Sequence, residues 1–224
     1  MRHALVLALL TACAPDPGAG KPKAVVQDPP AEPLRPAAPE TPAATDAGPI
    51  ESLTVDTARS KIEALGAKIT ATHPIVFHQY NGKVALSGDT VSAVSFEVQM
   101  DSLESDDPKL TKHLKNEDFF DVPKFPTSTF TSASITAGAQ EPGATHTVTG
   151  DFTIHGVTKR IAFPATISVQ GKEVTARAEF VINRKDFGVV YPGRPDDLVQ
   201  DNVRMTIQLV AAASRGAQIG RGHV

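Results

Sequence analysis

The stretch Val148-Thr149-Gly150-Asp151-Phe152-Thr153-Ile154-His155-Gly156-Val157-Thr158-Lys159-Arg160-Ile161-Ala162-Phe163-Pro164-Ala165-Thr166-Ile167-Ser168-Val169 decides the fold class. Apolar or small residues occupy every second position at Val148, Gly150, Phe152 and Ile154. After His155-Gly156 the alternation returns at Ile161, Phe163, Ala165, Ile167 and Val169. A period of two places one set of side chains on one face of a strand, and a glycine-bearing pair between two such runs reads as a tight hairpin. A link this short forces antiparallel pairing.

Working outward, the same period recurs. Val94, Phe96, Val98 and Met100 alternate with Ser95, Glu97 and Gln99. Val174, Ala176, Ala178, Phe180 and Ile182 alternate with Thr175, Arg177, Glu179 and Val181, and Val203, Met205, Ile207 and Leu209 close the series. Weaker strands fit 60–70, 80–86 and 125–135, with turn signals at Asn81-Gly82, Ser87-Gly88-Asp89, His155-Gly156 and Gln170-Gly171. The reading is an all-β domain of roughly eight strands, barrel or sandwich. One stretch breaks the rhythm. Asp107-Pro108 reads as an N-cap followed by proline at the first helical position, leading 109–115 into a short helix. Asn116-Glu117-Asp118 then starts a second turn. Leu110, Leu114, Phe119 and Phe120 on this insert suit a plug or lid at one barrel end, or a plain crossover.

An eight-stranded barrel holds its own side chains or one slim ligand. Periodicity does not separate the two, since inward Phe, Ile and Val fill a core and line a tunnel alike. Small residues at expected inward positions (Ala133, Gly150, Ala165, Ala176, Ala178) and the absence of Trp lean toward a cavity.

The N-terminus carries a different signal. Arg2 and His3 precede an apolar run over 4–10, which ends in Leu10-Thr11-Ala12-Cys13. Basic, apolar, then small is the order of an export signal. Leu-Thr-Ala-Cys resembles a lipobox, in which the thiol of Cys13 is alkylated with diacylglycerol; an ordinary signal peptide with an incidental cysteine is the alternative. Residues 14–50 are rich in Pro, Ala, Asp and Glu, and are expected to form a core-free tether. The expected division is a signal peptide at 1–12, lipidated Cys13 and tether at 13–51, the barrel at 52–213 and a Gly- and Arg-rich tail at 214–224. A single cysteine allows no intramolecular disulfide. No apolar run reaches the ~18–20 residues of a spanning helix. The net charge of −3, with both signs interspersed, gives no footprint for nucleic acid.

Several segments carry a resemblance. They are Thr54-Val55-Asp56 with Ser60-Lys61-Ile62, His113-Leu114-Lys115-Asn116-Glu117-Asp118-Phe119-Phe120-Asp121, Phe125-Pro126-Thr127-Ser128-Thr129-Phe130, the 148–159 stretch quoted above, and Asn183-Arg184-Lys185-Asp186-Phe187-Gly188. In this order and spacing the chain resembles the YceI-like polyisoprenoid-binding family over nearly the whole domain. The resemblance implies a lipocalin-like eight-stranded antiparallel β-barrel whose tunnel takes a long isoprenoid, an isoprenoid quinone or a similar acyl chain, without catalysis. Two positions depart from it: Ala64 stands where an aromatic is common, and Tyr80-Asn81-Gly82 replaces a more usual Phe-x-Gly. The polar stretch Tyr191-Pro192-Gly193-Arg194-Pro195-Asp196-Asp197 has no assigned role.

The expected tunnel lining is Phe96, Val98, Phe130, Phe152, Ile161, Phe163, Phe180, Ile182, Met205 and Ile207. Leu114, Phe119, Phe120 and Arg184 are expected at the mouth or lid. His73 and His78 fall in an apparent loop and His113 lies apart, so no metal site is expected. His155 reads as a tolerated turn residue. There is no Gly-x-Ser-x-Gly elbow, phosphate loop, dinucleotide fingerprint or cysteine nucleophile. No cofactor is expected apart from a bound isoprenoid or acyl lipid. The implied partners are that lipid and a membrane reached through the anchor, with a homodimer left open and no nucleic acid. The expected location is membrane-anchored and facing the periplasm, with Ala14 compatible with outer-membrane sorting, or else the cell surface. A ligand-free stress-response or surface-interaction barrel, and an enzyme on an apolar substrate, remain as alternatives.

Overall fold

A computed structural model describes residues 14–30 and 50–213. In chain order the strands are β1 (Val25–Gln27), β2 (Ile50–Val55), β3 (Lys61–Ala67), β4 (Thr72–Phe77), β5 (Tyr80–Ser87), β6 (Thr90–Gln99) and β7 (Leu103–Ser105). After helix α1 (Pro108–Leu114) come β8 (Thr127–Ala137), β9 (His146–Ile154), β10 (Val157–Gln170), β11 (Glu173–Asn183), β12 (Gly193–Arg194), β13 (Asp197–Leu198) and β14 (Asn202–Ala212).

Register reduces these to eight staves. The pairing of β2 with β5 (Ile50 opposite Ser87) continues as β3 with β4 (Ile62 opposite Phe77), so β2 and β3 form one bent strand, as do β4 and β5. β6 and β7 likewise run on across a 3₁₀ turn at Met100–Ser102, pairing β5 and β4 in turn. β8, β9, β10, β11 and β14 follow, each antiparallel to its neighbour, and β14 returns to β2 and β3 (Ala211 opposite Val55, Met205 opposite Ala64). The result is a closed eight-stranded antiparallel β-barrel with one short helix, the fold class expected from the sequence. Helix α1 has Pro108 at its first position and ends at Leu114, with the Asp107 carboxylate accepting from the Lys109 N–H at 2.7 Å as its N-cap.

Four local expectations change. Residues 72–77 form β4, so His73 lies in a strand and not in a loop; the Pro74 that obscures it is tolerated beside a short partner, β7. Asn81-Gly82 sits inside β5 and is no turn: a Cβ on Gly82 would lie 2.5 Å from the Phe96 ring, so the glycine makes room for a cross-strand aromatic. Ala133 points outward, because a bulge between Ser132 and Ser134 takes it out of phase. The fourth concerns the chain before the domain.

That change is the largest. Residues 14–30 do not read as a free spacer: Val25, Val26 and Gln27 pair antiparallel with Ala162, Ile161 and Arg160 of β10. β10 and β11 pair only from Thr166–Arg177 to Gln170–Glu173. Continued toward the other end, that register would set Ala162 opposite Val181. Instead the N-terminal segment lies between them, the Val181 N–H donating to Pro22 O at 2.9 Å and the Ala24 N–H to Val181 O at 2.8 Å. Val181 is buried although it sits in the outward phase, because Gly18 and its neighbours cover it. Ile50 and Glu51 belong to β2, so the barrel starts before residue 52. The remaining tether positions, 31–49, the signal segment at 1–12, Cys13 and the tail at 214–224 lie outside the described residues.

Two apolar clusters fill the interior. Leu53, Val55, Val84, Leu86, Val174 and Leu209 seal the end that carries the Gln170-Gly171 and Ser87-Gly88-Asp89 turns. The larger cluster runs from mid-barrel to the opposite end, where α1, a 3₁₀ turn at Arg184–Phe187 and the 189–201 segment gather.

Candidate ligand cavity and its mouth

The inner cavity, about 120 Å³, lies along the barrel axis. Phe96, Val98, Phe130, Phe152, Ile161, Phe163, Phe180, Met205 and Ile207 line it, while Ile182 lies further out, at the mouth. Alternation positions these residues: every second side chain of β6, β8, β9, β10, β11 and β14 turns inward. Phe163 stacks on Phe180 with ring centroids 4.2 Å apart, and Phe130 tilts against Phe163 at 5.6 Å. Space for the Phe130 ring comes from Gly150, where a Cβ would stand 2.5 Å from Phe130 Cζ and 2.5 Å from Thr131 O. Ala165, Ala176 and Ala178 line the cavity, their small side chains leaving the axis open. The polar residues on this wall are Ser128, Thr129 and Arg177, and the Ser128 hydroxyl is already donated to Thr153 O at 2.8 Å. The inner space is therefore mainly apolar and brings together no nucleophile–base pair among the described residues.

The mouth is larger, about 380 Å³, and adjoins the inner cavity, with Phe77, Ile154 and Met205 lining both. The mouth volume falls in the range of about 300–1,000 Å³ in which small-molecule sites are found. Leu114, Phe119, Phe120 and Arg184, the four residues expected there, all line the mouth. Ala64 lines it too and does not line the inner cavity, so the departure at that position bears on this compartment.

Three rings that the sequence left unconnected meet over the mouth. His113 packs edge-on against Phe119 and against Tyr191, each at 5.1 Å, and Phe119 lies 5.0 Å from Tyr191. His113 Nε2 is also within 2.9 Å of the Asp118 carboxylate. The 191–197 insert thus acquires a role: it docks on the helical insert and forms part of the rim. A ring at each end of two separate irregular segments was the only sequence hint.

Arg184, though it lines the mouth, is committed to the protein's own groups. It is buried, and its guanidinium donates to Val189 O at 2.7 Å, Gln200 O at 3.0 Å, Val199 O at 3.3 Å and the Asp201 carboxylate at 3.2 Å. Burial pulls its pKa down, and the charge of Asp201 and its hydrogen bond push it back. Arg184 fixes the chain between 189 and 201 by satisfying carbonyls that a loop would otherwise bury unpaired. Lys68 stands at 2.6 Å from Asp197, and that ammonium, aided by Thr70, holds the Asp197 carboxyl below the usual carboxylate range. The histidines considered as ligands each face one carboxylate instead, His73 with Asp106 at 2.9 Å and His78 with Glu104 at 3.0 Å. His155 adopts a φ of +53° in the β9–β10 turn and packs on Phe125 at 4.9 Å, with its buried Nδ1 lacking a hydrogen-bond partner.

A closed barrel with an axial apolar cavity, and sequence motifs matching along its length, meet in one comparison: the model of the YceI-like domain matches residues 53–211. The chain belongs to the YceI-like family. Among curated relatives, a UPF0312 protein of Pseudomonas putida F1 is 38% identical over 108 residues, 46% of this chain and 55% of that protein. One from Pseudomonas fluorescens SBW25 is 32% identical over 120 residues, covering 51% and 61%. The chain spans little more than half the length of these relatives. Among solved structures, Burkholderia cenocepacia BcnA superposes with a TM-score of 0.61 at 26% identity, over 70% of this chain and 99% of BcnA. A polyisoprenoid binding domain from Saccharophagus degradans, implicated in plant cell wall breakdown, gives 0.58 at 12% identity over 72% and 98%, a likeness of fold alone. Against this YceI-like frame, the strand added by residues 25–27 lies outside the 53–211 match.

Proposed function

We propose that this YceI-like protein is a lipid-binding protein, held to a membrane through Cys13 and facing the periplasm, whose barrel takes the chain of a polyisoprenoid, an isoprenoid quinone or a similar long apolar molecule. One observation carries the reading: beneath the mouth lies an axial cavity that, Ser128, Thr129 and Arg177 apart, is walled by phenylalanines, other apolar side chains and alanines. At about 25 cal/mol per Å² of apolar surface removed from water, such a chain is retained without any polar code. The polyisoprenoid-binding barrel of Saccharophagus degradans supports the ligand class, and Leu10-Thr11-Ala12-Cys13 supports the anchor. The role is binding rather than catalysis.

The test is mass spectrometry of solvent extracts from full-length protein purified from its native membrane fraction. One apolar species near equimolar amount is expected. Filling the inner cavity by Ala178→Phe should lower its recovery severalfold while the barrel still unfolds cooperatively. Extracts repeatedly free of any apolar molecule would overturn the proposal and return the barrel to a packed interaction domain.

A further inference from the structure

The described chain begins on the mouth rim. The Ala14 N–H donates to Ile69 O at 2.7 Å, and Gln200 Nε2 donates to Ala14 O at 3.4 Å. Two residues on, the Asp16 carboxylate accepts from Asn202 Nδ2 at 3.0 Å, and its other oxygen accepts from the Gly18 N–H at 2.9 Å. Ile69 lies in the β3–β4 turn and bonds Leu198 O through its own N–H at 3.1 Å. Lys68, Val199 and Gln200, which flank these contacts, line the mouth. Ala14, which follows Cys13 in the sequence, is therefore fixed beside the cavity opening.

A second observation falls on the same rim. Four large apolar residues are exposed among the described residues, and two of them, Val190 at 62% and Leu198 at 45%, bracket the β12–β13 hairpin over the mouth. Val25 lies on the seam strand, and Ile50 lies toward the sealed end, paired with Ser87. At the same rim Lys68 pairs with Asp197, and Arg184 and Lys185 share Asp201.

We propose that the mouth end rests on the bilayer that holds the Cys13 anchor, with Val190 and Leu198 as its apolar contacts, so that the cavity opens directly onto lipid. The inference rests on the anchored, lipid-binding reading above. Exchange of ligand between bilayer and barrel then needs no passage through water.

The test uses full-length protein produced in a bacterium that processes lipoproteins, reconstituted in vesicles of phosphatidylethanolamine and phosphatidylglycerol. A fluorophore is attached at Leu198→Cys, or at Asp89→Cys in the exposed turn of the sealed end. Lipids carrying a nitroxide near the headgroup should quench the Leu198 label at least twofold more than the Asp89 label, and Val190→Asp should reduce that difference. Equal quenching at the two positions, on protein shown by mass spectrometry to carry diacylglycerol on Cys13, overturns the orientation and leaves the anchor standing. An unmodified Cys13 overturns both, while the lipid extract still decides the binding function on its own.

Discussion

The two edges of β10 are built on different principles. On one side nine successive pairs join it to β9, from Val157–Ile154 to Ala165–His146, through the His155-Gly156 turn. On the other, five pairs to β11 give way to three pairs with β1, a segment more than a hundred residues earlier in the chain. The first edge is closed by a turn whose residues accept positive φ, +53° at His155 and +72° at Gly156, so it forms from local sequence. The second requires a long loop to close before any contact rewards it. An antiparallel wall made of neighbours is a unit; a seam filled from a distance is an addition to it.

The sharpest way to break this contrast is to remove packing from the wall. Phe163 is buried on β10 between Phe130 and Phe180, and Phe163→Ala should cost about 3–5 kcal/mol, read as a lower urea midpoint. Gly150→Ala comes next, at about 1–3 kcal/mol, because the new methyl meets the Thr131 carbonyl as well as the Phe130 ring. If Gly150→Ala proved neutral, the wall would be looser than its register implies.

These wall positions were also the legible ones. Alternation placed Phe96, Phe130, Phe152, Phe163 and Phe180 on one face, and hairpin glycines placed the turns, because both signals are local and repeated. β4 was missed since its six residues include His73 and Pro74, which interrupt the pattern. β1 was missed for a deeper reason. Three residues, Val25, Val26 and Gln27, sit in a segment whose prolines and lack of core-forming residues argue correctly against independent structure. What orders them is the unpaired edges of β10 and β11, which no window on residues 14–30 can see. The one visible trace was Val181, an apolar residue in the outward phase of β11. At the mouth, the rings of His113, Phe119 and Tyr191 come from helix α1, the turn after it and the distant 191–197 segment, and spacing says nothing about their meeting.

The seam should therefore loosen without unfolding the wall. Ala24→Pro removes the donor that meets Val181 O and should cost about 1–3 kcal/mol, confined to the neighbourhood of the inserted segment. Hydrogen exchange would speed at the Val181 amide, whose partner is Pro22 O, and stay unchanged at the Phe130 and Phe152 amides of the wall. Uniform acceleration would mean that β1 belongs to the barrel's cooperative unit and that the contrast between the edges is only one of sequence distance.

The mouth hairpin extends the contrast to charge, with the smallest effect. Asp197 accepts from Lys68 and, through both the amide and hydroxyl, from Thr70 at 3.1 and 3.0 Å, and the Lys68 bond is the main reason its pKa lies below the ordinary value. A carboxyl whose folded pKa is depressed lends stability that is present above its unfolded pKa, ~3.9 for a free aspartate, and lost as pH falls through the lower folded value. Between neutral pH and roughly 5 nothing should change. Below that, the Thr70 amide resonance should titrate with a midpoint under the free-aspartate value, as the hairpin releases its hold on the β3–β4 turn. Asp197→Asn should abolish that titration, because the neutral amide no longer exchanges charge with Lys68, while the Val148 amide in the wall is indifferent in both proteins. Were Val148 to move with the same midpoint, the rim would be coupled to the barrel interior, and acid would act on the cavity itself rather than on the loops around its opening.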